Sequence, residues 1–256
     1  MPFIDCEKIA KNILRTVKGG SLAVLTNRDD PSAISYTRQL IKTADKVGIH
    51  IEEEVFSSYW LSDGVIRLIQ KHNESEVHGI LVISPAQNQY EAINQIIPSK
   101  RVEGTDADDN PQRVSCTARA CVEIIATQTP MLGKNCLIVG YGKNVGKPVS
   151  YLLLRRHVGA VTITHRYTKQ EDLFSKHIKE ADIIISGVGI PHFIRGDYKD
   201  KIFIDAGISI VDGRIKGDID PCLAEFNDVT PVPCGVGPVT TALLLQNVSL
   251  AAVGKF

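Results

Sequence analysis

One stretch constrains this chain more than any other: Leu137-Ile138-Val139-Gly140-Tyr141-Gly142-Lys143-Asn144-Val145-Gly146-Lys147-Pro148. An apolar run ends in a glycine cluster, and a segment able to form a helix follows. That is the layout of a strand, a tight turn and a helix N-terminus, where backbone N–H groups can hold a pyrophosphate. The spacing is Gly-x-Gly-x-x-x-Gly, one residue longer than the usual dinucleotide fingerprint. By itself it is compatible with a nucleotide site or with a glycine-rich βα turn that binds nothing.

Strands and helices alternate on both sides of this motif. Ahead of it, Ser21 to Leu25 reads as a buried strand, and Pro31 opens a helix ended by Gly48. Ile49 to Phe56 alternates as a strand, Asp63 to His72 reads as helix, and His78 to Ile83 as another buried strand. Tyr90 to Ile97 is expected as a short helix. Val102 to Thr117 is polar and turn-rich, and reads as a surface loop leading to a domain junction. Thr117 to Gln128 is helical. The pattern then restarts with strands at 136–140, Ala160 to Thr164, Asp182 to Ser186 and Ile202 to Gly207. Helices are expected over 145–157, Glu171 to Glu180 and Thr240 to Val253. Repeated βαβ grammar predicts parallel sheets.

Charge narrows the partners. Lys plus Arg equals Asp plus Glu, at 29 each, so nothing points to nucleic acid or an anionic membrane. No apolar run approaches the roughly 18 residues of a bilayer span, and Met1 to Cys6 lacks the basic flank and apolar core of a signal peptide. A cytoplasmic protein is expected. Six cysteines form no Cys-x-x-Cys pair, so no metal site is expected; Cys6, Cys121 and Cys136 read as buried thiols.

Three glycine clusters follow apolar strands directly: Gly140/Gly142, Gly187/Gly189 and Gly207. In a parallel sheet these strand ends line the ligand crevice, and glycine lets a cofactor approach the backbone. After the second strand of this half comes Thr164-His165-Arg166-Tyr167-Thr168-Lys169. An NAD site often places Asp or Glu there, whereas Arg166, with His165 and Lys169 beside it, suits a 2′-phosphate. NADP is favoured over NAD, against the alternative of a basic surface loop. Thr230-Pro231-Val232-Pro233-Cys234-Gly235-Val236-Gly237-Pro238-Val239-Thr240-Thr241 fixes an unusual backbone ahead of a helix. It reads as a ligand-contacting loop or a rigid domain connection.

Together these pieces resemble the methylenetetrahydrofolate dehydrogenase/cyclohydrolase family over nearly the whole chain. The most specific parts are the peptide 139–148, Thr164-His165-Arg166, Val188-Gly189, Asp205-Ala206-Gly207-Ile208 and the peptide 230–240. Pro31 to Tyr36, Gly79 to Val82 and Val102-Glu103-Gly104 extend it to the N-terminal half. The resemblance implies a two-domain α/β protein: an N-terminal α/β folate domain, residues 1–121 plus 233–256, and a Rossmann-like doubly wound parallel-sheet domain, residues 122–232. It implies a cleft holding the pterin against the nicotinamide, and a homodimer paired through the cofactor domain. The implied reaction is oxidation of 5,10-methylenetetrahydrofolate by hydride transfer to NADP; many members then hydrolyse the methenyl product to 10-formyltetrahydrofolate. Carried over by position, Gly140, Tyr141, Gly142, Asn144, Val145, Gly146, His165, Arg166, Gly187, Val188, Gly189, Gly207, Ile208 and Thr240 would bind the cofactor. Tyr36, Pro85, Glu103, Gly235, Pro238 and Val239 would bind the substrate, with Tyr36 and Glu103 as the catalytic candidates.

The departures bear on the second reaction. The family's Tyr-x-x-x-Lys is Tyr36 followed by Leu40, and its Val-Gln-x-Pro is Val82-Ile83-Ser84-Pro85. Pro-Cys-Thr-Pro is Ser115-Cys116-Thr117-Ala118. In the family the lysine and glutamine assist attack of water on the methenyl carbon, and an isobutyl group cannot move a proton. Arg38 and Lys42 lie about 200° around the helix from Leu40. Hydride transfer needs chiefly positioning and could survive. The family's Val-Asp-Gly is Val102-Glu103-Gly104, so a pterin held by Glu103 would sit roughly 1 Å displaced. Otherwise Asp106 or Asp109 fills the role, or the ligand is not an ordinary folate. Tyr36 stacks on the ligand or packs the helix. The alternatives to a dehydrogenase with doubtful cyclohydrolase activity are a fully bifunctional enzyme using other groups, a regulatory NADP-binding pseudoenzyme, and a dehydrogenase of another small substrate.

Overall fold

A computed structural model describes residues 3–104, 114–168 and 171–256. The chain divides into two compact units. One contains Met1–Asn12 and Thr105–Thr240; the other contains Ile13–Gly104 and Thr241–Phe256.

The second unit is built on a three-stranded parallel sheet of β1 (Gly20–Asn27), β2 (Ile49–Phe56) and β3 (Gly79–Ile83), in the order β2-β1-β3. Central β1 is buried from Leu22 onward, as its unbroken apolar run requires, whereas edge strand β2 is buried only at its two ends, Ile49 and Phe56. Helices α2 (Pro31–Asp45) and α3 (Ser62–Glu74) make the crossovers. Asp30 caps α2, its carboxylate accepting from Ser32 N at 2.8 Å with Pro31 in the first turn. Leu25, Phe56, Ile69, Ile80 and Ile93 form one core. The expected helix over Tyr90 to Ile97 is a 3-10 segment, Gln87–Gln95. Gln89 anchors it: its buried side-chain amide donates to the carbonyls of Ser57 and Trp60, both at 2.9 Å. The long closing helix α7 (Val236–Ala252) begins four residues before its expected start. From Thr241 onward it belongs to this unit, where buried Asn247 donates to Val102 O at 2.8 Å.

The first unit carries a five-stranded parallel sheet: β4 (Asn135–Val139), β5 (Ala160–Thr164), β6 (Ile183–Ser186), β7 (Ile202–Asp205) and β10 (Asp228–Val229), in the order β10-β7-β6-β4-β5. From β4 the chain steps one way to β5, then returns past β4 to β6, so the winding reverses between β4 and β6. In doubly wound sheets ligands bind outside the carboxyl ends of the strands at such a reversal. Helices α4 (Cys116–Gln128), α5 (Gly146–Leu154) and α6 (Glu171–Glu180) pack on this sheet, preceded by α1 (Cys6–Leu14), which begins in this unit. The expected domain limit at 121/122 falls inside α4, which packs against α5 and β7. Cys6, Cys121 and Cys136 are buried, and burial pushes each thiol up to about 12. A small antiparallel hairpin of β8 (Ser209–Val211) and β9 (Arg214–Lys216) follows β7. Among the described residues no helix is long and apolar enough to cross a membrane.

Candidate functional site

The glycine loop after β4 owes its shape to two close approaches. Gly140 has φ +94°, a left-handed conformation that glycine adopts without Cβ strain. Gly146 opens α5, and a Cβ there would lie 1.9 Å from the carbonyl oxygen of Gly140. The loop is pinned from outside as well. Gly140 N donates to Thr164 O at 2.7 Å, and the Ser115 hydroxyl donates to Asn144 O at 2.8 Å. At Gly142 a Cβ would meet nothing within 4 Å. That glycine therefore leaves open space above the turn. Tyr141, Gly142 and Asn144 are exposed, whereas Val145 and Gly146 are buried.

The three glycine clusters converge at the reversal of the sheet. A Cβ on Gly140 would stand 2.9 Å from Val188 Cγ1 and 3.3 Å from Gly187 O. One on Gly187 would stand 3.0 Å from Val145 Cγ1. Gly189, at φ +70°, faces Ile208 O, and Ser209 Oγ donates to Gly189 O at 2.7 Å. Gly207 is buried, and Ile208 beside it is exposed.

Two buried aspartates lie beneath these loops. Asp218 Oδ2 accepts from Ser186 Oγ at 2.8 Å and Val188 N at 2.7 Å, and its Oδ1 accepts from Ile190 N at 2.9 Å. Asp205 Oδ1 accepts from Gly207 N at 3.0 Å and Asp218 N at 3.1 Å, and its Oδ2 from Ile219 N at 2.9 Å. Burial pushes the Asp205 carboxyl up to about 6; the backbone donors oppose the rise and the Asp218 charge adds to it. A Cβ on Gly207 would fall 2.0 Å from Asp218 Cγ.

Edge strand β5 delivers His165 and Arg166 beside the glycine loop. Both are exposed, and the Arg166 guanidinium lies 5.2 Å from the Tyr167 ring centre. His165 Nδ1 accepts from Tyr167 N at 3.2 Å, and His165 N donates to Thr168 Oγ1 at 3.1 Å. Lys169, the further cation expected there, lies outside the described residues.

Residues 230–240 of the proline-rich peptide lie in the first unit. Gly235 is walled in: a Cβ would lie 2.2 Å from Pro231 O. Val239 is buried, Pro238 and Thr240 are half-buried, and Thr240 Oγ1 donates to Val236 O at 3.0 Å. Cys234 has φ +73° without being glycine, a strained conformation.

In the second unit the strand ends of β1 and β3 gather a polar cluster. Asn27 Nδ2 donates to Ser84 O and Ser58 Oγ, both at 2.8 Å. The Ser84 hydroxyl donates to Asp30, which holds that carboxyl below the usual carboxylate range. Tyr36 on α2, Pro85 after β3 and Glu103 are each half-buried. Leu40 is fully buried and Ile83 half-buried, while Arg38 and Lys42 are exposed. Asp106 and Asp109 lie outside the described residues.

Residues 4–103 match the catalytic domain of tetrahydrofolate dehydrogenase/cyclohydrolase, and residues 115–255 match its NAD(P)-binding domain. The chain belongs to this family. A bifunctional protein FolD from Thermotoga sp. strain RQ2 is 34% identical, covering 98% of each chain. The crystal structure of a bifunctional FolD from Campylobacter jejuni superposes with a TM-score of 0.88 at 26% identity, covering both chains fully. A Trypanosoma brucei FolD, solved with NADP and an inhibitor, gives 0.87 at 26% identity over 99% of each chain. Residues 115–255 thus carry the family's NAD(P)-binding fold, and the glycine loops stand at its crossover.

The glycine loops are legible as a family pattern, and Asp205 stands in one of its peptides, but residue type alone marks no role for Ser115, Ser186, Asp205 or Asp218. Asp205 carried one local signal, an acidic residue ending an otherwise apolar strand. Asp218 carried none beyond its place after Gly217.

Proposed function

We propose that this family member oxidises 5,10-methylenetetrahydrofolate to 5,10-methenyltetrahydrofolate, with NADP as hydride acceptor. The interlock of the Gly140, Gly187 and Gly207 loops at the sheet reversal carries the reading. The residues present fit a dinucleotide. Backbone is open at Gly142, and the glycine turn leads into the N-terminus of α5, whose dipole suits an anion; within that turn Lys147 N donates to Gly142 O at 3.0 Å. Gly140, Tyr141, Gly142, Asn144, Val145 and Gly146 would hold the pyrophosphate, and His165 and Arg166 a 2′-phosphate. Gly187, Val188, Gly189, Gly207, Ile208 and Thr240 would complete the cofactor site. When bound, NADP supplies the acceptor for the hydride.

On the substrate side, Glu103 would accept hydrogen bonds from the pterin and Tyr36 would stack on it. Pro85, Gly235, Pro238 and Val239 would shape the rest of the folate site. We take the two compact units, joined through α7, as the cofactor and folate domains. On this reading the enzyme is cytoplasmic and works as a homodimer.

The cyclohydrolase step is absent or weak on this reading. Leu40 is apolar and wholly buried, and Ile83 replaces the amide that would support a lysine. The deciding assay follows cofactor reduction with methylenetetrahydrofolate, with NADP and NAD in separate reactions, and then follows methenyl decay. Expected are reduction of NADP in preference to NAD and decay at the buffer rate. Enzyme-dependent decay would support a bifunctional enzyme instead. NADP binding without reduction would support a non-catalytic role.

A further inference from the structure

We propose that Asp218 and Asp205 are positioning residues for the cofactor, acting in series on the loop that follows β6. The inference rests on the NADP reading given above, and adds the groups that hold the site in shape.

Asp218 is fully buried, and its carboxylate gathers three donors from five consecutive residues: the Ser186 hydroxyl and the N–H groups of Val188 and Ile190. Three hydrogen bonds of 2.7–2.9 Å to one side chain fix the direction of that backbone. The fixed segment matters because Val188 Cγ1 is the atom that closes on Gly140. A shift of Val188 therefore alters the wall of the glycine turn.

Asp218 is itself aimed by Asp205. Both oxygens of Asp205 accept from the backbone around Asp218, one from Asp218 N and one from Ile219 N. The same carboxylate accepts from Gly207 N, so it orders the third glycine loop as well. Gly207 and Gly217 are the two places where the carboxylates need room. A Cβ on Gly207 would meet Asp218 at 2.0 Å, and one on Gly217 would meet Asp205 Oδ2 at 2.0 Å. Both carboxylates are held by N–H and O–H donors rather than by cations. They work as acceptors that shape backbone, a job a neutral amide cannot do in full, because its NH₂ end would face a donor.

The test uses the full chain with Asp218→Asn and, as a milder variant, Ser186→Ala. Amide hydrogen exchange in the protein without cofactor is read residue by residue, and KM and kcat for NADP are measured separately. The expected result is exchange at Val188 and Ile190 at least tenfold faster in Asp218→Asn, with the amides of β1 and β3 unchanged. KM for NADP should rise about tenfold, with kcat within about twofold. Ser186→Ala, which removes one donor, should raise KM two- to threefold while lowering the melting temperature by only about 2–4 °C. Unchanged exchange at Val188 and Ile190 would overturn the proposal. So would a uniform rise in exchange across the unit, or selective loosening with an unaltered KM. If Asp218→Asn does not fold, an unaltered KM in Ser186→Ala overturns it. A wild-type chain that fails to reduce NADP would defeat the dehydrogenase reading, while the exchange comparison still judges the carboxylates.

Discussion

Gly146 begins its helix in contact with Gly140, so closely that a methyl group on the one would sit 1.9 Å from the carbonyl oxygen of the other. Neither partner of that contact can yield cheaply, because both are backbone. The turn between them is fixed by the absence of a side chain.

Gly146→Ala should therefore push α5 away from β4. Overpacking against rigid backbone costs about 1–3 kcal/mol, and a chain of this size loses about 2–4 °C in Tm per kcal/mol. Gly142→Ala meets open space and should leave Tm within about 1 °C. Both should weaken NADP binding, the second without loss of stability. Calorimetry and cofactor titration on the two variants separate packing from ligand approach.

Arg166→Ala removes an exposed cation whose guanidinium lies 5.2 Å from the Tyr167 ring centre. Tm should hold. NADP affinity should fall at least tenfold, on the scale of a lost charge-assisted hydrogen bond, about 1.5–3 kcal/mol, while NAD affinity stays within about twofold. Equal loss for the two cofactors would remove Arg166 from the phosphate site.

Leu40→Lys tests whether a single side chain separates this enzyme from bifunctional relatives. Leu40 is wholly buried, and an ammonium there has to be desolvated or drive its neighbours apart. The variant should melt well below wild type and hydrolyse methenyltetrahydrofolate no faster than buffer. A folded variant with enzyme-dependent hydrolysis would show that the position alone decides the activity.

Asp205 gives a pH signature of defined sign. Its folded value of about 6 stands above the ordinary 3.8, chiefly through burial. The folded chain thus takes up this proton first. The stabilisation is complete below about 3.8 and is lost as pH rises through about 6. Asp205→Asn cannot titrate. The stability gap between wild type and the variant should be widest near pH 4 and should narrow by pH 7, read from urea midpoints at several pH values. A gap independent of pH would contradict the shift.

Much of the fold was legible before any coordinates. β5 and α6 fall on the expected residues, and β4 and β6 within one, the latter two because buried parallel strands are written as unbroken apolar runs. The 3-10 segment at Gln87–Gln95 was not legible as such. Its register depends on Gln89 reaching carbonyls about thirty residues back in sequence, and no local pattern records that. The hairpin 209–216 and the two-residue strand β10 are too short to leave a period.

The site divides in the same way. Glycine spacing, the Arg166 loop and the missing lysine at Leu40 can be read from the sequence, since each depends on residue type at fixed intervals. The sequence by itself determined the alternation of strand and helix and the family pattern of glycines, because apolar periodicity and backbone freedom are local properties. The tertiary structure alone decided that three glycine loops meet at one reversal of the sheet. It also decided that Asp205 and Asp218, thirteen residues apart, lie buried beneath them. Desolvation and hydrogen-bond distance are set by what surrounds a group in space, and chain order does not encode them.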